Sequence, residues 1–260
     1  MEGARLTRSV GGRSAARGIF LAPFDEVCEP ALVAELAARA EAKGWDGFFV
    51  WDHVAYRAPV RAVADPWVTM AAVAVATSRV LIGPMVTPVA RRRPHQLARE
   101  TVTLDRLSGG RLVLGVGLGS DRTGEFDPDR FGEEGSPRER ARLLDDGLEK
   151  LLGYWDGGFE PPPLQQPRIP IWVASRWPHQ RPLRRAARYD GVFPIDLPGP
   201  EALAEVVAAV GRDDGYAVVV TNPPGTDPAP WIEAGATWCL TGFGPQPALD
   251  EVRAAIDAGP

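Results

Sequence analysis

The chain contains little cysteine, no long apolar run and no strong excess of charge of one sign. Its 260 residues include two cysteines, Cys28 and Cys239, which lie far apart and have no neighbours at metal-ligand spacing. This pattern argues against a disulfide framework and predicts no bound metal. No run approaches the ~18–20 apolar residues of a membrane helix, which excludes an integral membrane protein. The net charge of −5 argues against nucleic-acid binding.

The overall composition is that of an ordinary globular protein. Hydrophobic residues make up 45% of the chain and charged residues 24%, which excludes a mainly disordered polypeptide. Residues 1–17 carry arginines among glycine and serine but lack the apolar core of a secretory signal. We therefore expect a flexible leader over residues 1–17, a single folded domain over residues 18–260, and a cytoplasmic location.

Eight apolar runs of strand length alternate with helical patterns along the chain. Strands that are continuously apolar are buried on both faces and belong to parallel sheets. Eight strand–helix units in about 250 residues predict an α/β fold of the (β/α)8 TIM-barrel type. A doubly wound open sheet uses the same units and is the structural alternative. The runs cover residues 18–22, 47–51, 80–86, 112–116, 169–173, 191–193, 216–220 and 237–240.

Asp52 and His53 follow the second apolar run, where a barrel collects its functional groups. A histidine beside a carboxylate can act as an acid–base group with an orienting partner. Adjacent residues of a strand point to opposite sides, so both side chains face one site only if the strand has already ended. The alternative is that Asp52 caps a loop and His53 is an ordinary surface imidazole.

A glycine run, GVGLG at residues 115–119, follows the fourth strand. It is a poor dinucleotide-binding fingerprint, because the third glycine of that motif is replaced by Ser120 and the next segment is not a clean helix. Glycines at a strand end predict a backbone that passes close to a flat ligand, and a plain turn is the alternative.

Two arginine-containing segments could bind an anion. Ser175 and Arg176 follow the fifth strand, just before a predicted helix whose first N–H groups suit a phosphate. We expect these two residues to contact a ligand. The run Arg91, Arg92 and Arg93 is predicted to be a solvated loop.

Several segments together resemble the luciferase-like monooxygenase superfamily, the flavin- and deazaflavin-dependent TIM-barrel oxidoreductases. The order and spacing of the segments make the resemblance specific, and it covers roughly residues 18–195. The matching stretches are KGWDGFFVWDH (43–53), ADPW (64–67), LIGPMVTP (81–88), LDRLSGGRL (104–112) with the glycine run, and IPIWVA (169–174).

The resemblance implies a redox enzyme whose cofactor ring lies in the mouth of the barrel. His53 matches the residue proposed as acid or base in relatives, and Asp52 is its neighbour near the ring. Met85, Val86 and Thr87 match the strand end that backs the ring, where relatives often have a non-proline cis peptide bond. The resemblance also implies that the loop after the fifth strand holds the cofactor phosphate. The further expected cofactor contacts, at the ends of the fourth and fifth strands, are Gly117, Gly119, Ala174, Ser175, Arg176 and Trp177.

The cofactor implied is FMN or the deazaflavin F420, and the form of Asp52–His53 together with Trp67 favours F420. The reaction implied is hydride transfer or monooxygenation of a small organic substrate. The identity of the cofactor decides between the two, because F420 does not carry out O₂ chemistry. Dimers are common among relatives, which makes a homodimer an open expectation. The family's sugar-phosphate dehydrogenases carry Glu at the position of Ser120, so that activity is not expected here. The substrate cannot be inherited by analogy.

Two other functions stay open. A cofactor-free TIM-barrel enzyme would need a lysine or several carboxylates at strand ends, but the two lysines, Lys43 and Lys150, both lie on predicted helices. A catalytically inactive flavin-binding subunit would keep the phosphate loop, while its residue 53 would affect no reaction.

Overall fold

Nine parallel strands form the central sheet of the protein, seen in a computed structural model that describes residues 15–211 and 214–260. Each strand except β4 overlaps one of the predicted apolar runs, because these segments are buried on both faces, and β4 directly follows the third run. The strands are β1 (Ala16–Leu21), β2 (Gly47–Val50), β3 (Leu81–Pro84), β4 (Thr87–Pro88), β5 (Leu114–Gly117), β6 (Ile171–Arg176), β7 (Gly191–Ile195), β8 (Ala217–Asn222) and β9 (Trp238–Gly242).

The helices of the described residues lie between the strands and after the last one. Most begin with proline in the first turn, where its missing N–H has no partner to lose. Ser136 caps α5 by accepting a hydrogen bond from the Glu139 N–H at 3.4 Å. The helices are α1 (Pro30–Ala42), α2 (Pro66–Ala76), α3 (Pro94–Leu107), α4 (Pro128–Phe131), α5 (Pro137–Gly153), α6 (Gln180–Ala186), α7 (Pro200–Val210), α8 (Ala229–Glu233) and α9 (Leu249–Ala258).

The sheet closes into a barrel, as predicted. Its strand order is β3-β2-β1-β9-β8-β7-β6-β5-β4. The Ile82 N–H donates to the Arg111 carbonyl at 3.0 Å, and the Val113 N–H donates to the Ile82 carbonyl at 2.9 Å. These bonds join β3 to the segment that leads into β5. The third predicted strand is divided into β3 and β4 at Met85–Val86, which is a cis peptide bond. The nine strands therefore correspond to the eight predicted units, and the open-sheet alternative is wrong.

The barrel interior is filled by large apolar side chains. Strand residues alternate, so that Phe20 points into the barrel while Ile19 and Leu21 pack against the helices. The ring of Phe49 lies 5.6 Å from that of Trp172 and 5.7 Å from that of Trp238, measured between centroids. The interior is a packed core and not a pore, as in other barrels of this type.

The first strand begins two residues before the predicted start of the domain. Ala16 pairs with Trp238 and Arg17 pairs with Cys239, so both residues belong to the barrel. The rest of the expected leader, residues 1–14, lies outside the described residues. Within the described ranges, every helix is too short or too polar to cross a membrane.

Candidate active site

His53 and Glu125 form the most reactive pair at the carboxyl ends of the strands. His53 lies just after β2, and Glu125 lies in the connection between β5 and α5. The His53 Nδ1 is 2.5 Å from Glu125 Oε2. The Glu125 side chain is fully buried, while 14% of the His53 side chain is exposed. A carboxylate oxygen accepts a hydrogen bond from an N–H, so this contact favours the tautomer with the hydrogen on Nδ1. Nε2 is then left for proton exchange with a ligand.

Three aromatic rings surround the imidazole of His53. The ring centroids of Tyr56, Trp51 and Phe24 lie 5.2, 5.7 and 5.8 Å from that of His53. Tyr56 and Phe24 meet the imidazole at steep angles, so they pack against its face or edge. Together with the Glu125 hydrogen bond, these rings fix the orientation of the imidazole.

Asp52 points away from His53 into a separate buried network. Only 1% of the residue is exposed. Its carboxylate accepts hydrogen bonds from Thr87 Oγ1 at 2.7 Å, Trp67 Nε1 at 3.2 Å, Arg91 Nη2 at 2.6 Å and Arg92 Nη2 at 3.0 Å. The two neighbours in sequence therefore have different hydrogen-bond partners, and Arg91 connects the two sets through Glu125.

The charge state of Asp52 follows from its partners. Burial alone would favour the neutral acid, but the guanidinium groups of Arg92 and Arg91 outweigh it. With further help from the hydrogen bonds of Thr87 and Arg92, they hold the pKa of Asp52 below its ordinary value of 3.8. Asp52 is therefore a fixed anion at neutral pH.

The prediction that residues 91–93 form a solvated loop is wrong for the first two arginines. The side chains of Arg91 and Arg92 are 4% and 16% exposed, and Arg93 alone is exposed. Arg91 lies between the two carboxylates, with its Nε 3.8 Å from Glu125 Oε1. The two guanidinium groups balance the charges of Asp52 and Glu125, which is why so many charges can be buried together.

An apolar floor lies at the barrel mouth beside His53. We use this term for the side chains of Trp51, Val86, Ala174 and Ile195, which lie at or near the carboxyl ends of their strands and pack on the interior cluster while remaining partly exposed. Trp51 connects this floor to His53. Polar atoms at its edge are also buried without a hydrogen-bond partner among the described residues, namely Trp51 Nε1 and Glu125 Oε1. A flat, largely apolar ring with polar edges fits such a surface.

The glycine run allows other parts of the chain to approach closely. A Cβ on Gly117 would lie 2.6 Å from Val86 Cγ2. A Cβ on Gly119, where φ is +73°, would lie 2.2 Å from a ring carbon of Phe126. The predicted close approach is therefore present, but the neighbours at these positions are protein side chains. Cofactor contacts of Gly117 and Gly119 stay a prediction.

The three residues expected to back the cofactor ring, residues 85–87, lie partly in the core and partly at the barrel mouth. The expected non-proline cis bond is present between Met85 and Val86. The Met85 side chain is buried in the barrel interior, and the Thr87 hydroxyl is occupied by Asp52. Of these three residues, Val86 alone presents its side chain at the mouth.

The expected phosphate loop lies at the end of β6, with several of its groups already bonded. Arg176 Nη1 contacts Asp196 Oδ2 at 2.6 Å. The Trp177 N–H donates to the Ile195 carbonyl at 3.1 Å. Ser175 is buried, and Ala174 belongs to the apolar floor. The structure brings Ala174 and Ser175 to the mouth, while Arg176 is paired at its rim.

Glu125 and its contact with His53 were missed by sequence reasoning. The two residues are 72 positions apart, and Glu125 stands in a connection rich in glycine and charge that resembles a solvated loop. No spacing rule links such positions. The one local signal is the aromatic residue that follows, Phe126, in an otherwise polar stretch.

Residues 16–220 match the family model of the luciferase-like monooxygenases. The chain belongs to this family. The resemblance read from the sequence is therefore confirmed, and with it the prediction of a luciferase-like oxidoreductase in a TIM barrel.

Two relatives from mycobacteria resemble this luciferase-like protein. An uncharacterized protein of Mycobacterium tuberculosis is 29% identical over an alignment of 282 positions, which covers 92% of this chain and 95% of the relative. A phthiodiolone/phenolphthiodiolone dimycocerosates ketoreductase of Mycobacterium sp. (strain JLS) is 27% identical over 219 residues, 76% of this chain. That match spans about half of the ketoreductase, 53% of its length.

Solved structures share the fold at low sequence identity. An F420-dependent secondary alcohol dehydrogenase, solved with an F420–acetone adduct, has a TM-score of 0.73 and 18% identity, covering 94% of this chain and 96% of that one. The oxygenating constituent of 3,6-diketocamphane monooxygenase from Pseudomonas putida, in complex with FMN, has a TM-score of 0.62 and 15% identity, covering 80% and 67%. Both expected cofactors thus occur among proteins of this fold.

Proposed function

We propose that this luciferase-like protein is an F420-dependent oxidoreductase that interconverts the hydroxyl and carbonyl forms of a small organic substrate. The observation that carries the proposal is the His53–Glu125 pair at the edge of the apolar floor. Support comes from the F420-dependent alcohol dehydrogenase among its structural neighbours and the ketoreductase among its relatives. F420, when bound, exchanges a hydride with the substrate carbon.

The cofactor ring would rest on the apolar floor. Val86 and Ala174 would contact its face, with the backbone of Met85 and Thr87 behind it. Gly117, Gly119 and the loop of Ser175, Arg176 and Trp177 remain the proposed positions for the rest of the cofactor. Arg176 would exchange its contact with Asp196 for the phosphate, since both side chains lie at the exposed rim.

His53 would move the proton that accompanies the hydride. When an alcohol is oxidised, a hydride leaves the carbon and a proton leaves the oxygen. His53 Nε2 would accept that proton, and in the reverse direction it would return it to the carbonyl oxygen. Glu125 would stabilise the imidazolium formed, as a buried carboxylate does for a catalytic histidine.

Asp52, which the sequence suggested as a catalytic residue, is given a different role in this proposal. Its carboxylate is ionised and fully bonded, so it has no free position for a substrate proton. It would instead hold Arg91, which in turn faces Glu125. Asp52 is thus a positioning residue.

Binding and turnover measurements test the proposed function. Purified protein is titrated with F420 and with FMN while fluorescence is followed, and saturation by F420 alone is expected. Saturation by FMN alone would instead favour monooxygenation.

His53→Ala should retain cofactor binding and lose 10²-fold or more of kcat, the range for a general acid–base group. His95→Ala, which changes an exposed histidine on α3, is the matched control. Unchanged turnover in His53→Ala would remove the acid–base role proposed for His53, and cofactor binding without any turnover in the wild type would favour the inactive-subunit alternative.

We also propose a homodimer in the cytoplasm. α2 is apolar on every face except at Thr69, yet Val68 and Val75 are 62% and 74% exposed. A helix that is apolar all round is normally covered, and an uncharged face can pair with its own copy about a twofold axis. The cytoplasmic location is supported by the two free cysteines, Cys28 and Cys239.

A further inference from the structure

A buried arginine on α5 holds the segment that carries Glu125. The Arg140 side chain is 2% exposed, although arginine is almost never fully buried without partners. Its Nη1 donates to the Gly135 carbonyl at 3.3 Å, and its Nη2 donates to Asp121 Oδ1. Arg140 thus binds both ends of the connection, close to β5 on one side and close to α5 on the other.

Phe126 links Arg140 to the chain segment that carries Glu125. The guanidinium carbon of Arg140 lies 4.1 Å from the centroid of the Phe126 ring, which is a cation–π contact. The ring also packs on Gly119, where a Cβ would lie 2.2 Å from it. Phe126 is therefore clamped between the end of β5 and α5. Glu125, the preceding residue, is held by this clamp.

The cost of burying Arg140 indicates a requirement beyond packing. Its Nε is buried without a hydrogen-bond partner among the described residues, and the Asp121 partner is 58% exposed. An unsatisfied buried donor costs free energy that an apolar side chain would avoid. What the guanidinium offers is a planar group that can stack on a ring and bond two separate chain segments at once.

From these contacts we infer that Arg140 is a positioning residue for the acid–base pair. By holding Phe126 and Asp121, it keeps the Glu125 carboxylate hydrogen-bonded to Nδ1 of His53. It thereby determines which nitrogen of His53 carries the hydrogen and which one faces the substrate. The inference rests on the proposed function only in calling Nε2 the reacting nitrogen, since the effect on the His53 tautomer does not depend on any cofactor.

Nitrogen-15 NMR of the histidine rings tests this inference on the protein without cofactor. The chain has three histidines, so His53 is assigned by comparing spectra with those of His53→Ala. Neutral His53 is expected in the Nδ1–H form in the wild type. In Arg140→Met the Nε2–H form should appear, as it should in Glu125→Ala. A wild-type spectrum dominated by Nε2–H, or an unchanged tautomer in Arg140→Met, would overturn the inference.

Turnover provides a second measurement. Arg140→Met should lower kcat by about 10–100-fold, the cost of a misplaced catalytic group. The double variant Arg140→Met with Glu125→Ala should be no slower than Glu125→Ala alone, because residues that act through one contact are not additive. Additive losses would show that Arg140 acts independently of Glu125 and would contradict the inference.

Two further variants separate positioning from general stability. Arg111 is also a buried arginine, and it donates to the carbonyls of Ala74, Thr77 and Val80 near the amino ends of the strands. Arg111→Met should lower the melting temperature and leave the His53 tautomer unchanged; an equal change of tautomer would refute the positioning role. If Arg140→Met does not fold, Phe126→Leu removes the ring of the clamp and should change the tautomer in the same way. If Arg140→Met changes the His53 tautomer while turnover is unchanged in both Arg140→Met and His53→Ala, the positioning role stands and the proposed function is wrong.

Discussion

At the scale of single residues, two neighbours in sequence have different surroundings. Asp52 and His53 follow the same strand, but Asp52 is buried among two arginines while His53 faces the barrel mouth. The carboxylate that serves His53 comes instead from Glu125. Adjacency in sequence therefore suggested the wrong partner for the histidine.

Asp52→Asn should be one of the most destabilising single substitutions near the site. It takes from the buried Arg91 and Arg92 the carboxylate that both contact most closely, and breaking a buried pair in this way costs about 3–5 kcal/mol. The free energy of unfolding in urea measures the loss. Asp257→Asn, which removes an exposed partner of Arg39, is the control and should change stability little. Equal effects of the two substitutions would contradict the network described for Asp52.

The stabilisation by Asp52 should also depend on pH. Its pKa in the folded protein lies below the ordinary value of 3.8, so the folded state favours the ionised form. The contribution is complete above about pH 3.8 and is lost as the pH falls through the folded value. The difference in melting temperature between wild type and Asp52→Asn should therefore be constant near neutral pH and shrink below that value. A difference that grows in acid would disprove the sign of the shift.

At the scale of elements, the end of β5 shapes the floor of the site. Gly117 leaves room for Val86, because the segment between β3 and β4 passes close to β5. The sequence predicts that the backbone of the glycine run passes close to a ligand, and that contact stays a prediction. The structure adds that Gly117 makes space for the chain segment that forms part of the apolar floor.

Gly117→Ala should therefore weaken both the fold and the site. The new methyl group would lie 2.6 Å from Val86 Cγ2, and overpacking of this kind costs about 1–3 kcal/mol. Displacement of Val86 should also weaken binding of the cofactor in the titration. Gly153→Ala is the control, since this glycine has helical φ and ψ and no atom within 4 Å of the added Cβ. That control should be neutral or stabilising.

At the scale of the whole molecule, closure of the barrel brings the site together. The bonds of Ile82 with Arg111 and Val113 place β3 beside β5. Closure therefore puts the loop after β2 next to the connection after β5, so that His53 meets Glu125. An open sheet with the same strands would leave these two residues at distant positions.

The proposed homodimer gives a prediction at the same scale. If α2 pairs with its copy, Val68→Glu together with Val75→Glu should convert a dimer into a monomer, because like charges would meet at the twofold axis. Analytical ultracentrifugation measures the change in mass. Glu201→Lys, which alters an exposed residue of α7, is the control. A wild-type protein that sediments as a monomer at all concentrations would rule out the dimer.

Much of the fold could be predicted because its signals are local. Apolar runs of strand length, prolines at helix starts and the cap at Ser136 each depend on a few neighbouring residues. The site could be predicted only in part. His53 follows directly from a strand end and Val86 from the family resemblance, whereas the burial of Arg91 depends on Asp52, which is 39 residues away in the chain.

The sequence by itself determined the eight strand–helix units, the family and the position of the histidine, since hydrophobic patterning and short motifs act over a few residues. The tertiary structure alone decided which carboxylate serves His53, which arginines are buried, and why the glycines at the end of β5 are needed. The physical reason is that these are contacts between distant segments, made when closure of the barrel brings their strand ends to one mouth.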